Sequence, residues 1–190
     1  MMKYNINLQT GDIALYRRRG LLGWLITWWT GGDKSHAGIV IVDGDRHYIL
    51  DARAPAVDMR PISVDVRNGS HITIKRSLPG IRWDADALML FAYHMEGATR
   101  YATLKMLSNM WTEVFGCPQG LLDPADVPAR FHCSELASRI CRMFARWSDT
   151  GEDFDPCPQR PDRYTTPDDL DRKSSLVTLT DRLAIVEAAE

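Results

Sequence analysis

Residues 36–52 read HAGIVIVDGDRHYILDA, and this stretch decides how the first half of the chain folds. Its first part, residues 36–42, is apolar and β-branched, which is typical of a central strand covered on both faces. The dipeptide Asp43-Gly44 follows it and is a strong short-range signal for a β-hairpin. Residues 46–52 then predict a returning strand, antiparallel to the first.

A two-residue turn at Asp43-Gly44 determines which residues of the two strands face each other. Val42 would pair with Asp45, and His36 would lie directly opposite Asp51. Directly opposed residues have Cβ atoms about 5 Å apart, so a carboxylate at this place can hold the imidazole ring and fix its tautomer. The alternative is a turn longer by one residue, which puts His36 and Asp51 on opposite faces.

The rest of the chain divides into a strand-rich first part and a more helical second part. Further strands are predicted at 12–16, 57–62, 71–76, 176–179 and 183–186, helices at 20–30, 84–96, 99–110 and 132–147, a loop at 116–129 and a short helical cap at 166–170. We therefore expect one α+β domain over residues 1–190, with an antiparallel sheet of about five to six strands packed on helices. The acidic segment 148–190 is expected to pack on this domain.

Composition and charge exclude several classes of protein. The chain has 190 residues, and 23 Lys+Arg against 25 Asp+Glu give a formal net charge of −2. Disorder, a coiled coil and binding of nucleic acid through bulk charge are therefore not expected. Four cysteines without a CxxC pair favour neither a disulfide scaffold nor a zinc knuckle. The first residues lack the apolar core of a signal peptide, so we expect a cytoplasmic protein, with delivery by lysis or phage as the alternative.

The apolar segment 20–30 has several interpretations. As a helix it spans about 16 Å, too little for a bilayer core of about 30 Å, so no transmembrane segment is expected. We expect this helix to be buried or to face substrate, and a membrane-surface role is the less favoured alternative. Arg17-Arg18-Arg19 beside Trp24 and Trp28 would suit nucleic acid, but tryptophans four residues apart are more typical of a core.

Cys133 lies at the start of the clearest helix of the chain. Apolar residues recur there at helical spacing, at positions 133, 136, 137, 140, 141 and 144. A thiol at a helix N-terminus has a lowered pKa, and a neighbouring imidazole lowers that pKa further, so Cys133 is a candidate nucleophile. The alternative is that Cys133 is a small buried hydrophobe, which is the interpretation we favour for Cys141.

Several separated motifs resemble the circularly permuted NlpC-like branch of the papain-like cysteine peptidases. This branch holds the YiiX/YebB-like proteins and, more distantly, the lecithin retinol acyltransferases. The motifs are Gly11-Asp12-Ile13, Ser35-His36-Ala37-Gly38-Ile39-Val40, Leu50-Asp51-Ala52, Phe131-His132-Cys133-Ser134-Glu135-Leu136 and Thr166-Pro167-Asp168-Asp169-Leu170. The resemblance therefore covers the chain from about Gly11 to Leu170.

The resemblance implies a thiol hydrolase with a Cys-His-Asp triad. Cys133 would be the nucleophile, His36 the general base and acid, and Asp51 the residue that orients His36. The third position is often Glu or His in this branch, so His47 stays as an alternative to Asp51 if the hairpin register differs. The chemistry implied needs no metal and no organic cofactor.

The resemblance also places the tryptophan-rich region near the cleft, so Trp28, Trp29 and Tyr16 are expected to line a substrate site. The substrate is expected to be a peptide, a peptidoglycan fragment or an acyl compound, cleaved at an amide or ester bond. A catalytically silent binding module on the same fold is the alternative function, and the sequence indicates no particular oligomeric state.

Overall fold

The computed structural model describes residues 3–17, 21–53, 56–96, 100–101, 130–159 and 165–186. Its strands are β1 (Lys3–Tyr4), β2 (Ile13–Arg17), β3 (His36–Asp43), β4 (Arg46–Arg53), β5 (Ala56–Pro61), β6 (His71–Ser77), β7 (Ile81–Trp83), β8 (Arg100–Tyr101), β9 (Arg130–Phe131), β10 (Ala145–Trp147), β11 (Leu176–Thr180) and β12 (Ile185–Val186). Its helices are α1 (Leu21–Thr30), α2 (Ile62–Arg67), α3 (Ala85–Met95), α4 (Cys133–Phe144) and α5 (Pro167–Asp171). No helix among the described residues is long and apolar enough to span a bilayer.

The main sheet confirms the α+β class. Among the described residues its strand order is β11-β6-β2-β3-β4-β5-β8-β9. The six longer strands are antiparallel to their neighbours, as expected. The sheet extends beyond the predicted five to six strands because the two-residue strands β8 and β9 pair in parallel at its edge.

Both faces of the central strands are covered, as the composition of 36–42 predicts. Side chains of β2, β3 and β4 pack on one face against α3 and α4, and the cluster includes Ile13, Leu15, Ile39, Ile41, Leu50, Leu88, Ala92, Leu136 and Ile140. Alternate residues pack on the other face in a second cluster that includes Ala14, Tyr16, Val40, Ile49, Ile62, Ile72 and Ile74. The hairpin is therefore enclosed between two apolar layers, which stabilise it on both sides.

Helix α4 begins where the sequence predicts and ends earlier. The ring nitrogen Nδ1 of His132 accepts the backbone N–H of Glu135 at 3.2 Å and so caps the first turn. The predicted end at 147 is wrong, because residues 145–147 leave the helix and form β10, which pairs with β7. The tertiary pairing satisfies backbone groups that a longer helix would have satisfied locally.

Three further segments differ from the prediction or lie outside the described residues. The strand predicted at 57–62 ends at Pro61, and residues 62–67 form the unpredicted helix α2, although they are rich in β-branched residues. Of the predicted helix 99–110 only Arg100 and Tyr101 are described, and they form a strand. The predicted loop 116–129 lies outside the described residues. The helical cap at 166–170 is confirmed as α5, which begins with a capping box made by Thr166 and Asp169.

The β3–β4 hairpin turns at Gly44-Asp45 rather than at Asp43-Gly44. Asp43 pairs with Arg46, and Val42 pairs with His47, so the predicted register is wrong by two residues. Gly44 takes the first turn position, where its φ of 55° is positive, and hairpin turns of this length require a positive φ there. A shift of two residues preserves the face of every side chain, so His36 and Asp51 still share a face, now as a diagonal pair.

The missing side chain of Gly38 leaves space for the Asp51 side chain of this diagonal pair. Continuing the register from Ile39 and Leu50 places Gly38 beside Asp51. A Cβ atom at position 38 would lie 2.9 Å from the Cβ of Asp51 and 2.9 Å from Cγ1 of Ile49. Because these distances are below normal contact, any side chain here would push the Asp51 side chain away from its present place.

We expect Gly38→Ala to lower the free energy of unfolding by about 1–3 kcal/mol through overpacking, measured by urea unfolding. It should also change the reactivity of the Cys133 thiol, because Asp51 supports His36. The matched control is Gly69→Ala, where φ is 73° and nothing lies within 4 Å of the added Cβ. That variant should lose about 1–2 kcal/mol through backbone strain with unchanged thiol reactivity. Native stability and native reactivity in Gly38→Ala would contradict this account.

Candidate active site

His36 and Asp51 form a buried hydrogen-bonded pair on adjacent strands. His36 is the first residue of β3, Asp51 lies near the end of β4, and the two are 3% and 0% exposed. Nε2 of His36 lies 2.6 Å from Oδ2 of Asp51. An ionised carboxylate accepts the Nε2–H proton, which leaves Nδ1 on the opposite side of the ring. The ring of Tyr16 packs edge-on against His36, with 5.4 Å between the ring centroids.

Cys133 meets this pair from the start of α4. Its thiol lies close enough to the His36 ring and to the backbone N–H of Ala37 for both groups to lower the pKa of the thiol. Burial raises the pKa of the Cys133 thiol, but His36 and the Ala37 N–H more than offset burial, so the pKa lies below its ordinary value. Since Nε2 faces Asp51, Nδ1 is the ring nitrogen left for the thiol. The structure thus brings together the three residues that the sequence separated by almost a hundred positions.

The alternative third residue, His47, does not contact His36. It pairs with Val42 near the hairpin turn, and its ring packs edge-on against Tyr4 with 5.2 Å between centroids. Partial burial lowers the pKa of His47. Asp51 is therefore the polar residue that the hairpin presents to His36.

Two arginines hold the Asp51 carboxylate. Nη1 of Arg60 donates to Oδ1 at 2.8 Å, Nη2 of Arg60 donates to Oδ2 at 2.9 Å, and Nη2 of Arg53 donates to Oδ2 at 3.2 Å. Burial raises the pKa of Asp51, but His36 and Arg60 oppose this and hold the pKa well below its usual range. Asp51 is therefore ionised at neutral pH.

Asp65 of α2 balances the two arginines from the other side. Its Oδ2 accepts Nη2 of Arg60 at 2.7 Å, Nη2 of Arg53 at 3.4 Å and the hydroxyl of Tyr16 at 2.8 Å. The two buried carboxylates then balance the two guanidinium groups, and the half-exposed Asp58 also lies 3.4 Å from Nη1 of Arg60. Pairing the buried charges in this way avoids most of the cost of burying single ions.

Sequence reasoning missed these supporting residues. Asp58 pairs with Asp51 across β4 and β5, so Arg60, two residues later, projects from the same face of the sheet. The available signal was the alternating Asp58-Met59-Arg60 on a strand adjacent to Asp51. This pattern does not show that Arg60 lies beside Asp51 unless the register of β5 against β4 is known.

The paired guanidinium changes what His36 experiences. Burial lowers the pKa of His36, while Cys133 and then Asp51 raise it, and the net pKa lies above its ordinary value. A bare buried carboxylate would stabilise the imidazolium more strongly than a carboxylate in a bidentate pair with Arg60. The pairing with Arg60 therefore makes Asp51 raise the pKa of His36 less than an unpaired carboxylate would.

The other predicted site residues occupy different surroundings. Tyr16 is 1% exposed, and it lies behind His36 with its hydroxyl on Asp65, so it offers no surface to a substrate. Trp28 is 57% exposed and Trp29 partly exposed, so the prediction that they line a substrate site stays a prediction. The expectation that Trp24 and Trp28 belong to the core is wrong, since Trp24 is also 59% exposed. Cys141 is fully buried in the core, as predicted.

The loop between α1 and β3 is held by α5. Asp168 accepts hydrogen bonds from the hydroxyl of Thr30 and, at 3.3 Å, from the backbone N–H of Lys34. A Cβ atom on Gly32 would overlap the Asp168 carboxylate, so the glycine allows the loop to lie directly on α5. This contact fixes the chain that leads into His36.

Comparison with known proteins identifies the fold. No protein-family model matches the chain, and no curated protein matches it in sequence. Among solved structures, it is similar to the metalloprotein YiiX from Escherichia coli O157:H7, with a TM-score of 0.59 and 18% sequence identity. The match covers 90% of this chain and 96% of that chain. The chain therefore has a YiiX-like α+β fold.

Three carboxylates among the described residues lie close enough together to raise the question of a metal ion. Asp33, Asp168 and Asp171 bring one carboxylate oxygen each within 4.8 Å of the others. However, the ammonium of Lys34 lies 3.1 Å from Asp33, and that of Lys75 lies 3.1 Å from Asp171. The two lysines already neutralise two of the three carboxylates, so this cluster does not fit a divalent cation.

The candidate triad does not fit a metal centre either. Both oxygens of Asp51 accept hydrogen bonds, and Nε2 of His36 is directed to Asp51. Among the described residues, the candidate triad therefore offers a metal only two donor atoms, the Cys133 sulfur and Nδ1 of His36. Zinc sites in proteins take three or four protein ligands.

We expect Arg60→Met to raise the pKa of His36 by roughly 1 unit, because removing a nearby cation favours the charged ring. The imidazolium would then persist to higher pH, which a proton NMR titration of the His36 ring measures. The control is Arg60→Lys, which keeps the charge and should leave the pKa of His36 closer to the native value.

The double variant Asp51→Asn/Arg60→Met tests the same idea from the other side. It replaces the ion pair by a neutral acceptor of similar shape, so the pKa of His36 should return towards the native value. Identical titration of His36 in the native protein and in Arg60→Met would show that Arg60 has no electrostatic role here.

Proposed function

We propose that this protein is a thiol hydrolase that cleaves an amide or ester bond through an acyl-enzyme. Cys133 is the nucleophile, His36 is the general base and acid, and Asp51 orients His36. The observation that carries the proposal is that Cys133 at the start of α4 lies beside His36 of β3, whose Nε2 is 2.6 Å from Oδ2 of Asp51 on β4. A lowered thiol pKa beside an imidazole with a raised pKa is the electrostatic state of an activated cysteine.

The reaction follows from the positions of the proton and the sulfur. The Cys133 thiolate attacks the substrate carbonyl carbon, and the protonated His36 donates its Nδ1 proton to the leaving amine or alcohol. A water molecule then gives a proton to Nδ1 and attacks the thioester, which releases the acid and restores the thiol. The backbone N–H of Cys133, at the N-terminus of α4, is available to stabilise the oxyanion.

The resemblance to the circularly permuted NlpC-like cysteine peptidases supports the same assignment. In that branch the histidine precedes the cysteine along the chain, as His36 precedes Cys133 here. The YiiX-like fold agrees with this resemblance at the level of architecture. The substrate we propose is a peptide, a peptidoglycan fragment or an acyl compound, and Cys133 at 3% exposure favours one whose scissile bond lies on a slender, extended chain.

We expect iodoacetamide to alkylate Cys133 rapidly at neutral pH, because its thiolate is stabilised by His36. His36→Gln should slow this reaction by roughly tenfold or more, since the pKa of the buried thiol would rise once the imidazole is removed. The matched control is His94→Gln, which changes an exposed histidine on α3 and should leave the rate unchanged. Mass spectrometry of the labelled peptides measures the rate at each cysteine.

Turnover tests the proposal directly. With a series of short acyl amides, esters and thioesters, Cys133→Ala should abolish hydrolysis, and His36→Gln should reduce it by about 10²–10⁴-fold. Fast labelling of Cys133 without turnover of any member of the series would favour the binding module instead. Equally slow labelling of all cysteines would contradict the activated thiol itself.

A further inference from the structure

His132, the residue before the candidate nucleophile, is a buried histidine that the proposed reaction does not use. It is 6% exposed and has extended backbone at the start of α4, with φ −91° and ψ 164°. Its carbonyl accepts the backbone N–H of Leu136 at 3.0 Å, and its ring nitrogen Nδ1 accepts the backbone N–H of Glu135 at 3.2 Å. Both bonds span Cys133, so His132 fixes the turn of backbone that carries the nucleophile.

The hydrogen bonds around His132 indicate a neutral ring. A ring nitrogen that accepts an N–H carries no proton, so the proton of the His132 ring is on Nε2. The hydroxyl of Ser134 lies 3.3 Å from the same Nδ1, but it donates its single proton to the carbonyl of Thr165 at 2.6 Å. The cap of α4 is therefore an uncharged acceptor.

An uncharged cap matters at this helix because a candidate thiolate follows it. Aspartate is among the commonest N-cap residues, and α3 has one: Oδ1 of Asp84 accepts the backbone N–H of Ala87 at 3.0 Å. A carboxylate at position 132 would stand next to Cys133 in the chain and oppose the positive end of the helix dipole, and nearby negative charge raises the pKa of a thiol. A neutral imidazole makes the same cap without this effect.

The acidic residue in the first turn of α4 is itself paired. Glu135 is fully buried, and its Oε1 accepts Nη2 of Arg139 at 3.2 Å. Its Oε2 lies 3.7 Å from Nε2 of His132, on the protonated side of that ring. The pairing with Arg139 offsets the charge of Glu135, and the carboxylate favours the ring orientation that leaves Nδ1 for the cap.

We propose that His132 is a positioning residue for the nucleophile: it caps α4 with a neutral acceptor, and so holds the sulfur and the backbone N–H of Cys133 in place without adding negative charge beside them. The inference rests on the proposed function, because it takes Cys133 as the nucleophile. It gives His132 no contact with substrate, since the effect passes through the first turn of α4.

Three substitutions at position 132 separate the cap from its charge. His132→Leu keeps a side chain of similar size without an acceptor, and should slow alkylation of Cys133 by iodoacetamide about fivefold or more at neutral pH. His132→Asn restores a neutral acceptor and should recover most of the native rate. His132→Asp restores the cap with a charge, and should raise the midpoint of the pH–rate profile of Cys133 by about 0.5–1 unit.

The matched control is Asp84→Leu, which removes the corresponding cap of α3. Asp84→Leu and His132→Leu should each lower the melting temperature by about 2–4 °C, because each leaves one helix N–H without its acceptor. Only His132→Leu should change the alkylation rate of Cys133. This comparison separates positioning of the thiol from a general loss of stability.

The possible failures are distinguishable. Native alkylation kinetics in all three His132 variants would overturn the inference and leave the activated thiol intact. Equal slowing in His132→Asn and His132→Leu, or equal midpoints in His132→Asp and His132→Asn, would show that a neutral cap is not what position 132 supplies. Slow alkylation of Cys133 in the native protein would instead contradict the proposed function, and the inference with it.

Discussion

The bidentate ion pair between Arg60 and Asp51 is the interaction on which the candidate site depends. A carboxylate fully buried among apolar strands is costly unless cationic groups pair with it, and Arg60 makes the bidentate pairing that offsets this cost for Asp51. Asp65 in turn prevents Arg60 from being an uncompensated cation. The orientation of the His36 ring therefore depends on Arg60, which does not contact the sulfur but holds the carboxylate that holds the ring.

The site is rigid because each participant is part of regular structure. β3, β4 and β5 bring His36, Asp51 and Arg60 to one face through their hydrogen-bonded registers, and α2 adds Asp65 above them. The nucleophile approaches from the helix layer on the other side of the sheet. It reaches the ring because His36 is the first residue of its strand, where the sheet no longer separates the two layers.

The sequence predicts those parts of the site that follow from the periodic spacing of side chains along one strand or helix. It does not predict the parts that depend on which strands pair and in which register. The alternation of side chains along residues 36–52 predicts His36 and Asp51 on one face of the sheet. The two residues do share a face, although the turn lies one residue later than expected. Helical spacing located the start of α4, since the pattern begins at Cys133. Arg60 could not be predicted, because its role requires the register of a third strand. The exposure of Trp24 and Trp28 could not be predicted either, since spacing along α1 does not say which side is covered.

The parallel pairing of β8 with β9 brings two distant parts of the chain together directly before the candidate nucleophile. Arg100–Tyr101 and Arg130–Phe131 lie side by side at the sheet edge, and α4 starts two residues after the second strand. Strand β9 therefore anchors the start of α4, and with it Cys133, to the edge of the sheet.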